Sequence, residues 1–280
     1  MVAWNHKDAS EIGTAATGVN AFDFNKVFKP ASEFDDNILF MSIFGGAGDG
    51  KSHFVLTAAE PICLLDTELS TANLIKRLPK EKQDNIYRVN LLEYTGDISA
   101  KNVNGSDVVT SNILDAIYNI LCGFVESNPF GDKKGTFVID SMSDVYGWLQ
   151  KWLINRTDLK RFKDTDEMMP MEWNRIDARW KEIMILLRKT GWNVILTFKP
   201  RVKWVNGKPS KDGETEAKWQ TSALHDFDLH VEIKTINKGE HEMTIKKTRF
   251  GDDTFYAKLT NATFSSLCEF LTEKSGVKLG

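Results

Sequence analysis

The chain has 280 residues, of which 36 are Lys or Arg and 39 are Asp or Glu, and its net charge is −3. This length suits one large α/β domain, or a core with modest additions. The slightly acidic balance argues against a protein that coats nucleic acid over its whole surface, although it leaves room for a local basic groove.

Cysteine spacing and hydropathy bear on the location of the protein. Cys63, Cys122 and Cys268 lie far apart, with no C-x-x-C pair and no histidine at metal-ligand spacing. This pattern favours a reducing compartment and argues against a zinc site. No apolar stretch approaches the roughly 18 residues of a membrane span, and residues 1–18 lack the apolar segment of a signal peptide. We therefore expect a cytoplasmic protein without a membrane partner.

The apolar pattern along the chain predicts the fold class. Residues 1–36 are mixed and polar, which predicts an irregular lead-in, and short apolar runs then alternate with stretches of helical spacing. Continuous runs suit strands buried on both faces, so the pattern predicts an α/β fold with a mostly parallel sheet flanked by helices. The runs cover 38–44, 62–66, 86–92, 136–140 and 193–198, and the helical stretches cover 113–124, 145–153 and 173–187.

The first apolar run leads into a complete phosphate-binding pattern, G-x-x-x-x-G-K-[ST]. A helix-compatible stretch follows, so the strand, turn and helix N-terminus come in the required order. Backbone N–H groups of such a loop surround phosphate oxygens, Lys51 is expected to reach the β- and γ-phosphates, and Ser52 is expected to bind Mg²⁺. A plain glycine-rich turn is the alternative, but the flanking elements favour binding of a nucleoside triphosphate, with ATP and Mg²⁺ as the expected ligands. The pattern comprises Gly45, Gly46, Ala47, Gly48, Asp49, Gly50, Lys51 and Ser52.

Two further runs end in carboxylates at the sheet edge where this loop is expected. The run 62–66 is followed by Thr67 and Glu68, and the run 136–140 ends in Asp140, the form of a Walker B element. Carboxyl ends of parallel strands form the ligand-binding edge of such sheets. Asp140 is therefore a candidate to hold Mg²⁺ together with Ser52. Glu68 is the candidate that orients and deprotonates water, with Asp66 as the first alternative, and an ordinary exposed glutamate at a strand end stays open.

A basic segment at 199–220 is the candidate for nucleic-acid binding. It carries six cations against three acids, with Trp204 and Trp219 interleaved. Cations of this kind contact phosphates, and an exposed tryptophan stacks on bases. The alternative is an ordinary solvated hairpin that packs on the rest of the domain and binds no nucleic acid. A second, weaker candidate is the cluster Lys160-Arg161-Phe162-Lys163. The candidate contacts in the segment are Lys199, Arg201, Lys203, Trp204 and Lys208.

The hydropathy pattern of the sequence changes after residue 226. Alternating runs at 227–235, 241–249 and 254–260, with a turn at 237–240, predict an antiparallel extension of the sheet. A final amphipathic helix near 263–274 is expected to pack on the core. The predicted organisation is thus a lead-in over 1–36, an ATPase domain over 37–262 and a C-terminal helical segment over 263–280.

The order of these motifs resembles the RecA-like ATPases, which combine a phosphate loop, a strand ending in Asp-x-Glu and a Walker B strand ending in Asp-Ser. In those relatives the glutamate is the catalytic base, which implies this role for Glu68. Residues 247–251, Lys-Thr-Arg-Phe-Gly, are similar to the K-N-R-F-G element of RadA and the K-x-R element of DnaB-type helicases. That likeness implies that Lys247 and Arg249 reach the nucleotide of a neighbouring subunit in a homo-oligomer, a hexameric ring or a filament. An ordinary basic strand is the alternative.

Residues 38–260 also resemble compact RecA-like ATPases of phages and mobile elements, which include single-strand-annealing recombination proteins. The likeness implies action in DNA recombination, repair or replication, with single-stranded DNA and a single-strand-binding protein as partners, in the host cytoplasm if phage-encoded. One departure is that Phe198 and Lys199 follow the strand after which RecA places a glutamine.

Two other functions stay open. The first is a RecA-like ATPase that switches a protein assembly without DNA, and the second is a small-molecule kinase, for which no arginine-bearing lid is found. Other P-loop classes fit less well, because the chain lacks the N-K-x-D pattern of GTPases and the L-S-G-G-Q pattern of ABC ATPases. The few residues after 263 also leave little room for the helical lid of AAA+ machines.

Overall fold

Five apolar runs form parallel strands, as their sequence predicts. The computed structural model describes residues 38–94, 105–154, 170–205, 208–210, 214–219 and 223–279. The predicted lead-in over 1–36 and the cluster Lys160-Arg161-Phe162-Lys163 lie outside these described residues. The strands are β1 (Phe40–Phe44), β2 (Ile62–Asp66), β3 (Ile86–Asn90), β4 (Thr136–Asp140) and β5 (Asn193–Phe198). Every residue of β1, β4 and β5 is buried, which requires cover on both faces of the sheet.

Helices supply that cover. They are α1 (Lys51–Val55), α2 (Ala72–Ile75), α3 (Lys80–Asp84), α4 (Gly105–Ser127), α5 (Met142–Ile154), α6 (Pro170–Lys189) and α7 (Phe264–Ser275). The helices α4, α5 and α6 pack on one face, where Ile117, Leu149 and Trp180 are buried, and α1 and α7 pack on the other, where Phe54 and Leu267 are buried. Trp180 is only 1% exposed, so this tryptophan belongs to the core, as its helical spacing predicts.

The remaining strands build two small hairpins and the antiparallel extension. They are β6 (Pro200–Val202), β7 (Trp204–Val205), β8 (Lys208–Pro209), β9 (Thr215–Ala217), β10 (Leu229–Asn237), β11 (Glu240–Thr248) and β12 (Lys258–Thr260). The predicted turn at 237–240 is confirmed, with Gly239 at a φ of 77°. The third alternating run is shorter than predicted, because Asp252–Thr254 form a 3₁₀ turn closed by a hydrogen bond from the Thr254 hydroxyl to the Gly251 carbonyl.

The strand order places the functional segments at one edge. The large sheet runs β12-β11-β10-β1-β5-β4-β2-β3, and it is parallel from β10 to β3. β5 separates the phosphate-loop strand β1 from the Walker B strand β4. The carboxyl ends of β1, β2, β4 and β5 therefore lie side by side. The predicted α/β fold class, a mostly parallel sheet flanked by helices with an antiparallel C-terminal extension, is confirmed.

The C-terminal helix is defined by its capping residues. Thr263 and Ser266 form a reciprocal capping box at the start of α7, and Gly276 ends the helix in the left-handed conformation. Phe264, Leu267 and Leu271 turn inward from this helix. Among the described helices, none combines the length and the apolar character that crossing a membrane requires.

Candidate ATPase site

The loop after β1 adopts a shape that only its glycines permit at two positions. A Cβ atom on Gly45 would lie 2.3 Å from the backbone oxygen of Ile233 in β10, so a larger residue does not fit there. Gly50 has a φ of 95°, which L side chains rarely adopt, and α1 begins immediately after it. The loop thus ends at a helix N-terminus whose free N–H groups favour an anion.

Lys51 is held inside this loop. Its Nζ donates to the carbonyl oxygens of Gly45, at 2.8 Å, and Gly46, at 2.7 Å. Burial lowers the pKa of Lys51, although the nearby carboxylates of Asp140 and Asp49 act in the opposite direction. An ammonium with partly lost hydration and only carbonyl partners is well prepared to bind phosphate oxygens.

Asp49 stabilises the loop from within. One carboxylate oxygen accepts a hydrogen bond of 2.6 Å from the Gly46 N–H, and the other accepts one of 3.1 Å from the Thr235 N–H in β10. The Thr235 hydroxyl donates to the Gly48 carbonyl at 3.3 Å. These bonds join the loop to β10, so the sheet and the loop hold each other in position.

Ser52 and Asp140 lie together beside the loop. The Ser52 hydroxyl donates to Oδ2 of Asp140 at 2.7 Å, and the Thr197 hydroxyl at the end of β5 donates to Oδ1. Burial raises the pKa of Asp140, and the two hydroxyl donors oppose that shift. A hydroxyl and a carboxylate are hard oxygen ligands, so the pair fits Mg²⁺, which binds one or two carboxylates together with substrate phosphates. In the described ranges, no cluster of three or more His, Cys, Asp or Glu side chains forms a metal site.

The two carboxylates of the Asp-x-Glu element have different surroundings. Asp66 is fully buried and accepts hydrogen bonds from Arg88 Nε at 2.9 Å, the Thr71 hydroxyl at 2.5 Å and the Glu68 N–H at 3.1 Å. Asp66 therefore builds the turn after β2. Glu68 projects beyond that turn with 35% of its side chain exposed, so it is the carboxylate of this pair that water can reach.

Glu68 faces the other groups at the sheet edge. Its Oε1 lies 2.7 Å from Lys199 Nζ and 3.4 Å from the Ser141 hydroxyl oxygen. Its charge is close enough to affect the pKa values of both Lys51 and Asp140. The structure thus brings together the predicted loop, the predicted metal ligands and the predicted base.

Several residues of this edge were not singled out as site residues by the sequence analysis. Asp144 accepts hydrogen bonds from Lys199 Nζ and from the Thr67 hydroxyl, Thr197 binds Asp140, and Arg88 binds Asp66. Two sequence signals point to them. Asp144 lies four residues after Asp140, in the first turn of α5, and Thr197 lies near the end of a buried strand.

Lys199, the first candidate DNA contact, lies inside the ATPase site. Its ammonium is shared between Glu68 and Asp144, at 2.7 Å from each, because β5 ends between β1 and β4 and directs the following residue to that edge. The segment it begins forms hairpins, as the alternative interpretation of 199–220 has it. Trp219 is only 6% exposed and stacks on Phe227, so it is a core residue and offers no platform for a base.

The other DNA candidates lie on these hairpins. Arg201 forms an ion pair of 2.9 Å with Glu216, and Lys203 forms one of 2.7 Å with Glu214. Trp204 is 63% exposed, and Lys208 is also exposed. The hairpins therefore present a tryptophan and cations to solvent, with carboxylates paired to two of the cations.

Lys247 and Arg249 are not brought to the phosphate loop of their own subunit. Lys247 Nζ donates to the carbonyl oxygens of Leu224, at 2.6 Å, and Phe227, at 2.5 Å, and Arg249 forms an ion pair of 2.9 Å with Asp228. This end of β11 pairs with the start of β10, at the sheet edge opposite the loop. Burial, together with the charge of Arg249, lowers the pKa of Lys247. A role at a neighbouring subunit stays a prediction.

This fold and this loop define a P-loop ATPase. A family model described as an AAA domain matches residues 39–252, and the chain belongs to this family, AAA_24. The match includes the phosphate loop and both carboxylate-bearing strands and ends before α7. No curated protein matches the chain. Among solved structures, that of the RadB recombinase is similar at 12% identity and a TM-score of 0.44, covering 79% of this chain and 86% of that one.

Proposed function

We propose that this ATPase acts in DNA recombination, repair or replication by binding single-stranded DNA, and that hydrolysis of Mg-ATP controls this binding. The observation that supports the proposal is the continuity of Lys199 with the exposed hairpins. Lys199 contacts Glu68, and the chain passes directly from Lys199 into β6 and on to Trp204. The short stretch of chain from Lys199 to Trp204 therefore connects the place where the γ-phosphate is expected with an exposed aromatic and basic surface.

The hydrolysis itself is assigned to residues of the sheet edge. Backbone N–H groups of 45–52 hold the phosphates, and Lys51 exchanges its two carbonyl partners for β- and γ-phosphate oxygens. Ser52 and Asp140 would hold Mg²⁺, which neutralises charge on the phosphates. Glu68 accepts a proton from water as the water oxygen attacks the γ-phosphorus. The bond to the β,γ-bridging oxygen breaks, and its electron pair stays on ADP.

The DNA contact is assigned to the hairpin surface. Trp204 stacks on a base, while Lys208, Arg201 and Lys203 approach the phosphates after exchanging carboxylate partners for phosphate oxygens. The carboxylates already paired with Arg201 and Lys203 favour the second candidate, a switch that controls a protein assembly without DNA. In that case the same surface binds a protein, and no affinity for DNA is expected.

Binding of an oligo-dT strand at low salt, measured by fluorescence anisotropy with and without ATP, separates these candidates. We expect wild-type protein to bind the strand and Trp204→Ala to weaken binding about tenfold, because stacking contributes roughly 1–3 kcal/mol per base. Tyr118→Ala removes an exposed aromatic side chain from α4, away from the hairpins, and serves as the control. Lys51→Ala removes the cation of the loop and should abolish ATP binding. Wild-type protein without affinity for the strand would leave the assembly switch as the function.

A further inference from the structure

We propose that Lys199 is a positioning residue for hydrolysis, which holds the Glu68 carboxylate where it can accept a proton from the attacking water. The inference rests on the proposed role of Glu68 as base. It assigns to the first residue after β5 a task in the ATPase reaction, in place of the DNA contact expected from the sequence.

The ammonium of Lys199 joins two carboxylates from different elements. Nζ lies 2.7 Å from Oε1 of Glu68, which follows β2, and 2.7 Å from Oδ1 of Asp144, which belongs to α5. Burial alone lowers the pKa of Lys199, but hydrogen bonds and charge from Asp144 and Glu68 outweigh it and raise the pKa. The side chain therefore stays charged at neutral pH.

Asp144 serves as the fixed end of this bridge. Its second oxygen, Oδ2, accepts hydrogen bonds of 2.9 Å from the Thr67 hydroxyl and 2.9 Å from the Ser141 hydroxyl. The Thr67 hydroxyl in turn accepts the Ser141 N–H at 2.7 Å. Asp144 is thus tied to the ends of both β2 and β4, and with both oxygens occupied it is poorly placed to act as the base itself.

The backbone of Lys199 is fixed as well. Its N–H donates to the Ser143 hydroxyl at 2.9 Å, and the same hydroxyl donates to the Lys218 carbonyl at 2.9 Å. The Lys218 N–H donates to the Lys199 carbonyl at 2.7 Å. The side chain of Lys199 therefore starts from a position defined by α5 and by the base of the hairpins.

Glu68 needs such a partner because it is otherwise loosely held. It is one-third exposed, and its other polar neighbour, the Ser141 hydroxyl, lies 3.4 Å away and donates its single proton to Asp144 at 2.9 Å. A glutamate side chain loses considerable rotamer freedom when it is ordered, and a displaced catalytic group slows a reaction by up to about a hundredfold per ångström. The ion pair with Lys199 supplies the missing constraint.

The test measures kcat, KM and the Kd of a fluorescent ATP analogue without DNA. We expect Lys199→Met to lower kcat about tenfold to a hundredfold while the nucleotide Kd changes less than about twofold. Lys199→Arg should restore most of kcat, since a guanidinium can also bridge two carboxylates. Lys258→Met is the matched control, because Lys258 lies in the outermost strand β12 and forms a 2.8 Å ion pair with Glu242 in the neighbouring strand β11.

A double-mutant comparison identifies the partner through which Lys199 acts. In single turnovers with enzyme in excess, Lys199→Met should cost nothing further in a Glu68→Gln background. If the losses of activity in the two single variants add in the double variant, the inference is wrong. It is also wrong if Lys199→Met is fully active while Glu68→Gln is inactive. Both outcomes leave the base assignment intact. Full activity of Glu68→Gln would overturn the base assignment itself. Lys199→Gln, which keeps a donor without the charge, gives the same comparison if the methionine variant does not fold.

Discussion

His230 shows how burial sets the chemistry of a single residue near the site. The ring stacks on Phe44 at 4.9 Å, packs against Trp219 at 4.5 Å, and pairs with the Ser42 hydroxyl at 2.9 Å. Burial, aided by the charge of Lys247, lowers the pKa of His230 from 6.5 to about 3. The folded protein therefore holds this histidine neutral, whereas the unfolded chain protonates it as the pH falls below 6.5.

The consequence is a pH-dependent stability with a defined sign. Between pH 6.5 and 3 the unfolded chain binds one more proton at this position, so the contribution of His230 is present above pH 6.5 and is lost as the pH falls. Between pH 7 and pH 5, we expect wild-type protein to lose about 2 kcal/mol more in free energy of unfolding than His230→Asn, which can still pair with Ser42. Urea denaturation at the two pH values measures the difference.

The exposed histidine at position 53 supplies the control for this measurement. His53→Asn makes the same replacement at an exposed position, so it shows the effect of changing a histidine to asparagine without removing a buried ring. An equal loss of stability in wild-type protein and His230→Asn would show that His230 is hydrated in the folded state, contrary to its packing.

Single residues also show what was predictable. The positions of the phosphate loop and Asp140 could be predicted from sequence because they depend on local spacing and on the strand before each of them. The partners of Lys199 could not, because Glu68 and Asp144 are 131 and 55 positions away in the chain. Only the strand order, which places β5 between β1 and β4, brings these three residues together.

Some of the secondary-structure elements were likewise predictable from the sequence, and others were not. The strands β1, β2, β4 and β5 were predictable because a strand buried on both faces must be continuously apolar. β3 is the outermost strand on that side of the sheet and is only partly buried, so its sequence includes Arg88 and Asn90. The hairpins β6–β9 and β7–β8 were weighed only as an alternative to a DNA-binding loop, since their two- and three-residue strands are too short to show a period. β12 was overestimated because a hydrophobic run at 254–260 partly belongs to a turn that buries Thr254.

The connection between β11 and the turn Ala223–Asp226 allows a prediction at the scale of elements. Lys247 donates to two carbonyl oxygens of the segment 224–227, which is thereby held against β11. Lys247→Met keeps the stem but removes both hydrogen bonds, and we expect it to lower the free energy of unfolding by about 1–2 kcal/mol. Lys258→Met, with an exposed ion pair, should change it by less than about 0.5 kcal/mol.

Thermal or urea unfolding of both variants without nucleotide makes this comparison. Equal stability of Lys247→Met and wild-type protein would mean that the lysine is not engaged within its own subunit. It would then be free to act elsewhere, which strengthens the case for a role at a neighbouring nucleotide.

At the scale of the whole molecule, we expect a further cation to approach the γ-phosphate from a neighbouring subunit. Lys51 belongs to the loop, Lys199 is engaged by two carboxylates, and Arg249 lies at the opposite edge with half of its side chain exposed. In a ring or filament, the edge that carries Arg249 in one subunit can face the loop edge of the next. Arg249 would then exchange Asp228 for the neighbour's phosphate, supplying charge where it develops in the transition state.

Mixing two inactive variants tests this arrangement. Glu68→Gln protomers lack the base but keep Arg249, and Arg249→Ala protomers lack the arginine but keep the base, so a mixed assembly contains some interfaces with both groups intact. We expect ATPase activity to recover partly on mixing, and the specific activity of wild-type protein to rise with its concentration. An Arg249 that acts within its own subunit gives no recovery, because no protomer in the mixture then holds a complete site. Activity that is independent of concentration, together with no recovery, would exclude a shared site.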